Sequence, residues 1–208
     1  FLLQRLGNFP LFGRGIDGDI TVVTGISLNT VRIGSNAFKT RTVDAPGGVV
    51  TAITSTTISI NVGFGAITDF KAGDVCVIMN AKSDGTGSGN VGNWELFRLI
   101  ADGAAGQLQI LQPLERIYGA IANNTVLTDQ RIFVMRLPEF RNVTIAPSGS
   151  INSYGWTGDI GGMVSFFAKT LNCVAANGIN VSGSGYRGGT IARGAGEGFA
   201  GGPNQDLY

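Results

Sequence analysis

Thr57-Ile58-Ser59-Ile60-Asn61-Val62 is the stretch on which the fold reading turns. Its apolar residues occupy every second position and all are β-branched, the period of a strand that buries one face. Ile20-Thr21-Val22-Val23-Thr24 and Val143-Thr144-Ile145 have the same β-branched character. Asp74 to Met79, Gln107 to Leu111 and Ile132 to Leu137 are more continuously apolar and read as strands buried on both faces. Turn residues separate them at short intervals: Ala45-Pro46-Gly47-Gly48, Asp84-Gly85, Asp102-Gly103 and Pro147-Ser148-Gly149. Helical periodicity is scarce. Ala66 to Ala72 has room for one turn, and Trp94 to Ile100 reads better as a strand.

The sequence therefore predicts an all-β chain in three zones. Residues 1–36 form an N-terminal lead-in with two glycine-rich corners. Residues 37–137 form a sandwich or barrel-like β core domain, and residues 138–208 a β-solenoid-like, glycine-rich C-terminal part. The solenoid expectation comes from an internal echo. Ser148-Gly149-Ser150-Ile151-Asn152-Ser153 returns, 29 residues later, as Asn177-Gly178-Ile179-Asn180-Val181-Ser182. A step of that size suits stacked β coils, although two copies fall short of the three such a stack needs. Asn177 to Gly202 holds 10 of the 33 glycines. Glycine loses the most backbone entropy on ordering and adds no side chain to a core, so this stretch reads as surface structure rather than catalytic scaffold. Its irregular glycine spacing does not match a regular polyglycine packing, which needs glycine near every third position.

Composition narrows the function. The chain has no histidine, 14% charged residues and a formal net charge of +1. Losing histidine removes the commonest general base, the commonest metal ligand and the Ser-His and Cys-His nucleophile pairs. Lys and Arg are scattered, so no phosphate-binding stripe is present and no nucleic-acid partner is expected. No run approaches the roughly 18 apolar residues of a spanning helix. Cys76 and Cys173 both lie in apolar runs and read as small buried hydrophobes, with a disulfide between them as the alternative. Phe1-Leu2-Leu3 opens the chain without methionine, which is expected of a processed chain or a part of a longer one.

Each candidate site has a plain alternative. Asp17-Gly18-Asp19 has the Asp-x-Asp spacing of calcium loops but lacks their downstream bidentate glutamate, so an Asp-Gly turn is the better reading. Asp17 and Asp19 are the metal candidates; no catalytic or cofactor-binding residue and no cofactor are expected. Asp84 to Asn90 is glycine-rich but lacks the Lys-Ser/Thr pair of a phosphate loop, and reads as a hairpin tip. Glu95, Glu115, Asp129, Glu139 and Asp159 could supply a glycosidase pair, yet no spacing selects two of them. Tyr154, Trp156, Tyr186 and Arg187 are the candidates for an exposed recognition surface, because aromatics and arginine beside glycine-rich backbone can contact sugars or proteins.

Four segments also carry a resemblance. They are Phe12 to Asp19, Phe64 to Met79, Arg136 to Ile145 and Gly185-Tyr186-Arg187-Gly188-Gly189. In that order they resemble glycine-rich β-structured surface and fibre proteins of bacteria and tailed phages, the first being similar to their "FGDGSDGD" starts. The resemblance implies architecture and display rather than chemistry. The expected role is a non-enzymatic structural component of a virion appendage, such as a tail fibre or host-contact protein. A secreted bacterial surface adhesin or filament subunit is the alternative, and a carbohydrate-active enzyme the third. Partners would be other structural proteins of the assembly and a host-surface glycan or protein. A homo-oligomer, with the trimer as its expected form, would bury edge strands that a single chain exposes.

Overall fold

The computed structural model describes residues 13–35, 40–82, 90–119, 123–127 and 130–186. These residues are all-β, with one 3-10 turn at Ile67–Asp69 in the segment given room for a turn. Six strands build an antiparallel sheet: β3 (Gly47–Ile53), β4 (Thr57–Phe64), β5 (Val75–Lys82), β6 (Trp94–Arg98), β7 (Gln107–Gln109) and β8 (Arg131–Arg136). Their order across the sheet is β6-β5-β8-β3-β4-β7. The sheet curls into a half-barrel, and just beyond β6 and β7 its two edges meet through the Leu99–Ile110 bridge.

Alternation along the central strands explains the two cores. Cys76 and Ile78 of β5 join Ile132 and Val134 of β8 in the concave core, together with Ile58, Ile60, Leu108 and Phe70. Val77 and Met79, with Phe133 and Met135, face the opposite way. Both faces of β5 and β8 are therefore buried, which is why their sequences are apolar without a break.

The convex face packs on a second structure made of parallel pairs. β1 (Gly18–Val22), β9 (Glu139–Ile145) and β11 (Phe167–Cys173) form one sheet, in the order β1-β9-β11. β2 (Gly25–Ile26), β10 (Ser150–Asn152) and β12 (Ile179–Asn180) form another, in the order β12-β10-β2. Each sheet takes one strand from each of three passes of the chain, so β1–β2, β9–β10 and β11–β12 lie side by side as three rungs. Equivalent residues stack into columns: Ile20, Val143 and Leu171; Val22, Ile145 and Cys173; Ile26, Ile151 and Ile179. Asp17 N–H donates to the Glu139 carbonyl at 2.9 Å and Val174 N–H to the Ile145 carbonyl at 3.0 Å, which carries the ladder past the strand ends. Gly149 sits at the corner before β10, where a Cβ would run into the Val22 carbonyl of the neighbouring rung.

Several expectations change. The stretch read as a lead-in supplies the first rung, and the six-stranded sheet lies in the chain between the first rung and the second. The echo is real, but its paired register is 28 residues, Ile151 to Ile179 and Asn152 to Asn180. A 29-residue register would turn every side chain of one rung to the other face. Cys76 is buried as expected, whereas Cys173 is exposed and both thiols are free. Cys173 misses burial because β11 is the outermost strand of its sheet and nothing among the described residues lies over it. Asp84 to Gly89 of the expected hairpin tip, and the glycine-rich stretch from 187 onward, lie outside the described residues.

Candidate functional site

Two groupings stand out, one ionic and one aromatic. The ionic cluster sits where β8 leaves the half-barrel and the chain turns through Leu137-Pro138 into β9. Arg136 is fully buried, and its Nη2 donates to both oxygens of Asp17 at 2.8 and 2.7 Å. Its Nη1 donates to the Asp44 carbonyl at 2.7 Å, and its Nε lies 3.2 Å from Asp74 Oδ1. Arg41 grips Asp74 with two 2.7 Å bonds and donates also to the Asp69 carbonyl. Glu139 is held by Arg14, through Nη2 at 2.8 Å and the backbone N–H at 3.0 Å. The Glu139 N–H in turn donates to Asp17 Oδ2 at 2.6 Å.

The electrostatics follow from that geometry. Burial alone would raise the Asp74 carboxyl, but Arg136 and Arg41 hold it below its usual range. Arg136 is pushed down by burial and more than restored by Asp74 and Asp17, so its charge is secured. Asp44 goes the other way: burial raises it, although the Ile33 and Gly34 N–H groups favour the ionised form. A carboxylate locked between guanidinium groups is a poor proton carrier, because neutralising it would strand the arginines. The arrangement is that of a structural clamp rather than an acid–base pair.

The candidate calcium ligands belong to two different ion pairs. Asp17 is buried on Arg136, while Asp19, two residues on, projects to the surface, where Arg141 Nη2 donates to it at 2.7 Å. Residues two apart in a regular strand would share a face, but Gly18 between them has a φ of 78° and the β1–β9 register shifts between Gly18 and Ile20, so the two carboxylates part. Among the described residues, no group of three or more His, Cys, Asp or Glu converges as a metal site. The glycosidase candidates are dispersed as well. Glu95 accepts from the Tyr118 hydroxyl at 2.9 Å, Asp159 pairs with Arg131, and Glu139 belongs to the clamp. Asp129 lies outside the described residues.

Tyr154, Trp156 and Tyr186 do come together. The Trp156 and Tyr186 rings meet edge to face with centroids 4.8 Å apart, and Trp156 also packs on Phe133 at 6.1 Å. Tyr154 leans on Phe64 at 4.8 Å and keeps 41% of its surface exposed. Arg187 lies outside the described residues. Beside these rings opens an apolar cavity of about 460 Å³ between the convex sheet face and the third rung. Val77, Met79, Trp94 and Leu96 line it with Met163, Phe166, Phe167, Ile179 and Tyr186. The Tyr186 hydroxyl is buried without a hydrogen-bond partner among the described residues, and burial pushes this phenol up. Trp156 and Tyr186 thus act partly as packing between sheet and rungs, and Tyr154 is the outward-facing member.

Reading the sequence missed the clamp. Its signal was an arginine at the end of the apolar run Ile132 to Leu137, where a charge survives only with buried partners. It also missed the cavity wall, whose signal was the run Met163-Val164-Ser165-Phe166-Phe167.

No family model matches this chain, and no curated protein matches it. Among solved structures it is similar to the Gp54 tailspike of Acinetobacter baumannii bacteriophage AP22, solved in complex with A. baumannii capsular saccharide. The identity is 6% and the TM-score 0.28, over 76% of this chain and 27% of the tailspike chain. The chain thus spans about a quarter of that protein's length.

Proposed function

We propose that this chain is a non-enzymatic structural component of a phage virion appendage, a tail fibre or host-contact protein. In this reading, a short parallel β-solenoid carries an inserted antiparallel half-barrel. The observation that carries it is the three-rung stack, whose apolar columns run at a constant 28-residue step from the second rung to the third. Such stacks lengthen by adding rungs, each contacting only its neighbours, and so suit extended, load-bearing parts. The buried carboxylates support a non-catalytic role, since each is bound to arginine or backbone N–H. The aromatic corner of Tyr154, Trp156 and Tyr186, continued in sequence by Arg187, would face a host-surface glycan or protein.

Antibody labelling of intact particles, read by cryo-electron microscopy, tests the assignment. Density for this chain in a tail appendage is the expected result. Label on the bacterial envelope with none on particles would replace this reading with the surface-adhesin one. Glycan cleavage by the purified chain, lost in Glu95→Gln or Asp159→Asn, would overturn the non-enzymatic assignment.

A further inference from the structure

Asn177-Gly178 is the only Asn-Gly pair in the sequence, and it lies in the turn that joins β11 to β12 within the third rung. Glycine has no Cβ to hold its backbone nitrogen away from the preceding side chain. Asn177 is exposed, and among the described residues its amide group makes no hydrogen bond. The Gly178 N–H donates none either, whereas the Gly178 carbonyl accepts from Ile151 N–H at 2.8 Å. Other asparagines are committed: Asn29 and Asn80 are buried and donate to backbone carbonyls at 2.9 and 2.6 Å, and Asn142 donates to Asp19 at 2.9 Å. Packing of the rung fixes the second member of the pair, because a Cβ on Gly178 would run into Cys173 Sγ. The strand that follows is two residues long and has no outer neighbour among the described residues, so the turn opens at low cost.

We propose that this turn is a self-modification site, at which Asn177 cyclises on Gly178 and leaves the third rung with an aspartyl or isoaspartyl link. The Gly178 nitrogen, giving up its proton, attacks Asn177 Cγ; the new C–N bond forms as the bond from Cγ to Nδ2 breaks, and the side-chain nitrogen leaves as ammonia. Water then adds to one of the two carbonyls of the succinimide ring. Opening at one restores the ordinary backbone with a carboxylate side chain. Opening at the other routes the backbone through Cβ and adds a methylene to the turn. That longer link cannot keep Gly178 both against Cys173 Sγ and beneath the Ile151 N–H, so β12 comes away from β10. The reaction needs no catalyst or partner, and its failure and that of the appendage reading are separate results.

The test is incubation of the whole folded chain in mildly alkaline buffer, followed by peptide mapping with a fragmentation method that separates aspartate from isoaspartate. Asn177 should convert ahead of every other asparagine, give both products, and convert faster as pH rises, because the attacking nitrogen must lose its proton. Hydrogen exchange on the converted fraction should show protection of the Ile151 N–H lost, while that of Val134, within the half-barrel, is kept. Asn177→Gln, an exposed change whose longer side chain closes a ring poorly, should abolish the conversion at this position and keep the Ile151 protection. If the folded chain leaves Asn177 intact while the urea-unfolded chain converts it, the fold shields the turn and the proposal is overturned. Earlier conversion at another asparagine would overturn it as well. Aspartate without isoaspartate would mean direct hydrolysis of the amide and would refute the cyclisation. An isoaspartyl fraction with Ile151 still protected would refute the detachment of β12.

Discussion

Asp74→Asn removes one charge from the clamp while keeping the side chain's shape. Asp74 is fully buried; its two oxygens accept from Arg41 at 2.7 Å each, and Arg136 Nε stands 3.2 Å away. An asparagine can accept through one oxygen only, and its amide group would face a guanidinium. Arg136 retains Asp17, so Arg41 becomes the buried cation without a counter-charge. Breaking a buried pair from one side costs about 3–5 kcal/mol. At roughly 2–4 °C per kcal/mol for a chain of this size, the melting temperature should fall by about 6–20 °C. Acid provides a second reading of the same charge. The folded Asp74 carboxyl lies below its usual value, so its contribution is present above the unfolded carboxylate range and is lost as pH falls through the folded value. Urea unfolding of wild type and variant, from neutral pH down to about pH 2, should therefore show two stabilities that converge in acid. A loss below about 1 kcal/mol, or a gap that persists undiminished in acid, would refute the assignment of Asp74 as the charge that compensates Arg41.

Other perturbations separate the elements. Ile151→Ala empties the centre of the middle rung and should cost about 2–4 kcal/mol in denaturant unfolding. Millimolar calcium should leave the melting temperature unchanged, and Asp19→Asn should have no detectable effect on it, since Asp17 and Asp19 are each engaged by arginine; a calcium-dependent rise in thermal scans would restore the metal reading. Asp44→Asn should gain on wild type as pH rises from mildly acid to neutral. The raised folded Asp44 carboxyl means that stability is lost as it ionises, and pH-dependent unfolding of the pair checks the sign.

The half-barrel was legible because alternation is a local signal. Ile58 and Ile60 announce a one-sided strand, and the unbroken run of β5 a two-sided one, without knowledge of partners. The parallel stack was only half legible. Its second and third rungs lie 28 residues apart, and their echo is visible as Ser-Ile-Asn against Gly-Ile-Asn. The first rung pairs Ile20 with Val143 across more than a hundred residues of inserted sheet, so no period links it to the others. The single-residue error in register came from aligning Gly149 with Gly178, whereas the pairing is set by Ile151 and Ile179. Cys173 was misplaced because an apolar run indicates which face a residue would bury, not whether anything lies above it. The clamp was hidden for a related reason: Asp17, Arg41, Asp74 and Arg136 are scattered in sequence, and only the topology gathers them.

That gathering joins the inserted sheet to the stack. After β2 the chain passes Gly34 and Ser35 against Asp17 and Asp19, beside the Glu139 start of β9, so the insertion leaves and re-enters the stack at adjacent points, the condition under which a domain tolerates an insert. The clamp crosses this junction, because Asp17 precedes β1, Arg136 ends the last strand of the half-barrel, and Asp74 and Arg41 come from within the insert. The core on the convex face crosses it too: Met79, Phe133 and Met135 of the sheet share one cluster with Ile20, Val143 and Ile151 of the rungs. If the sheet unfolded alone, it would expose half of that cluster and leave the carboxylate of Asp17 without its arginine. If the stack unfolded alone, Arg136 would lose Asp17 in turn. Neither part can open at low cost, so calorimetry should record a single transition whose van't Hoff and calorimetric enthalpies agree. Two resolved transitions would mean that clamp and shared core contribute little across the junction, and that the half-barrel is a separable domain after all.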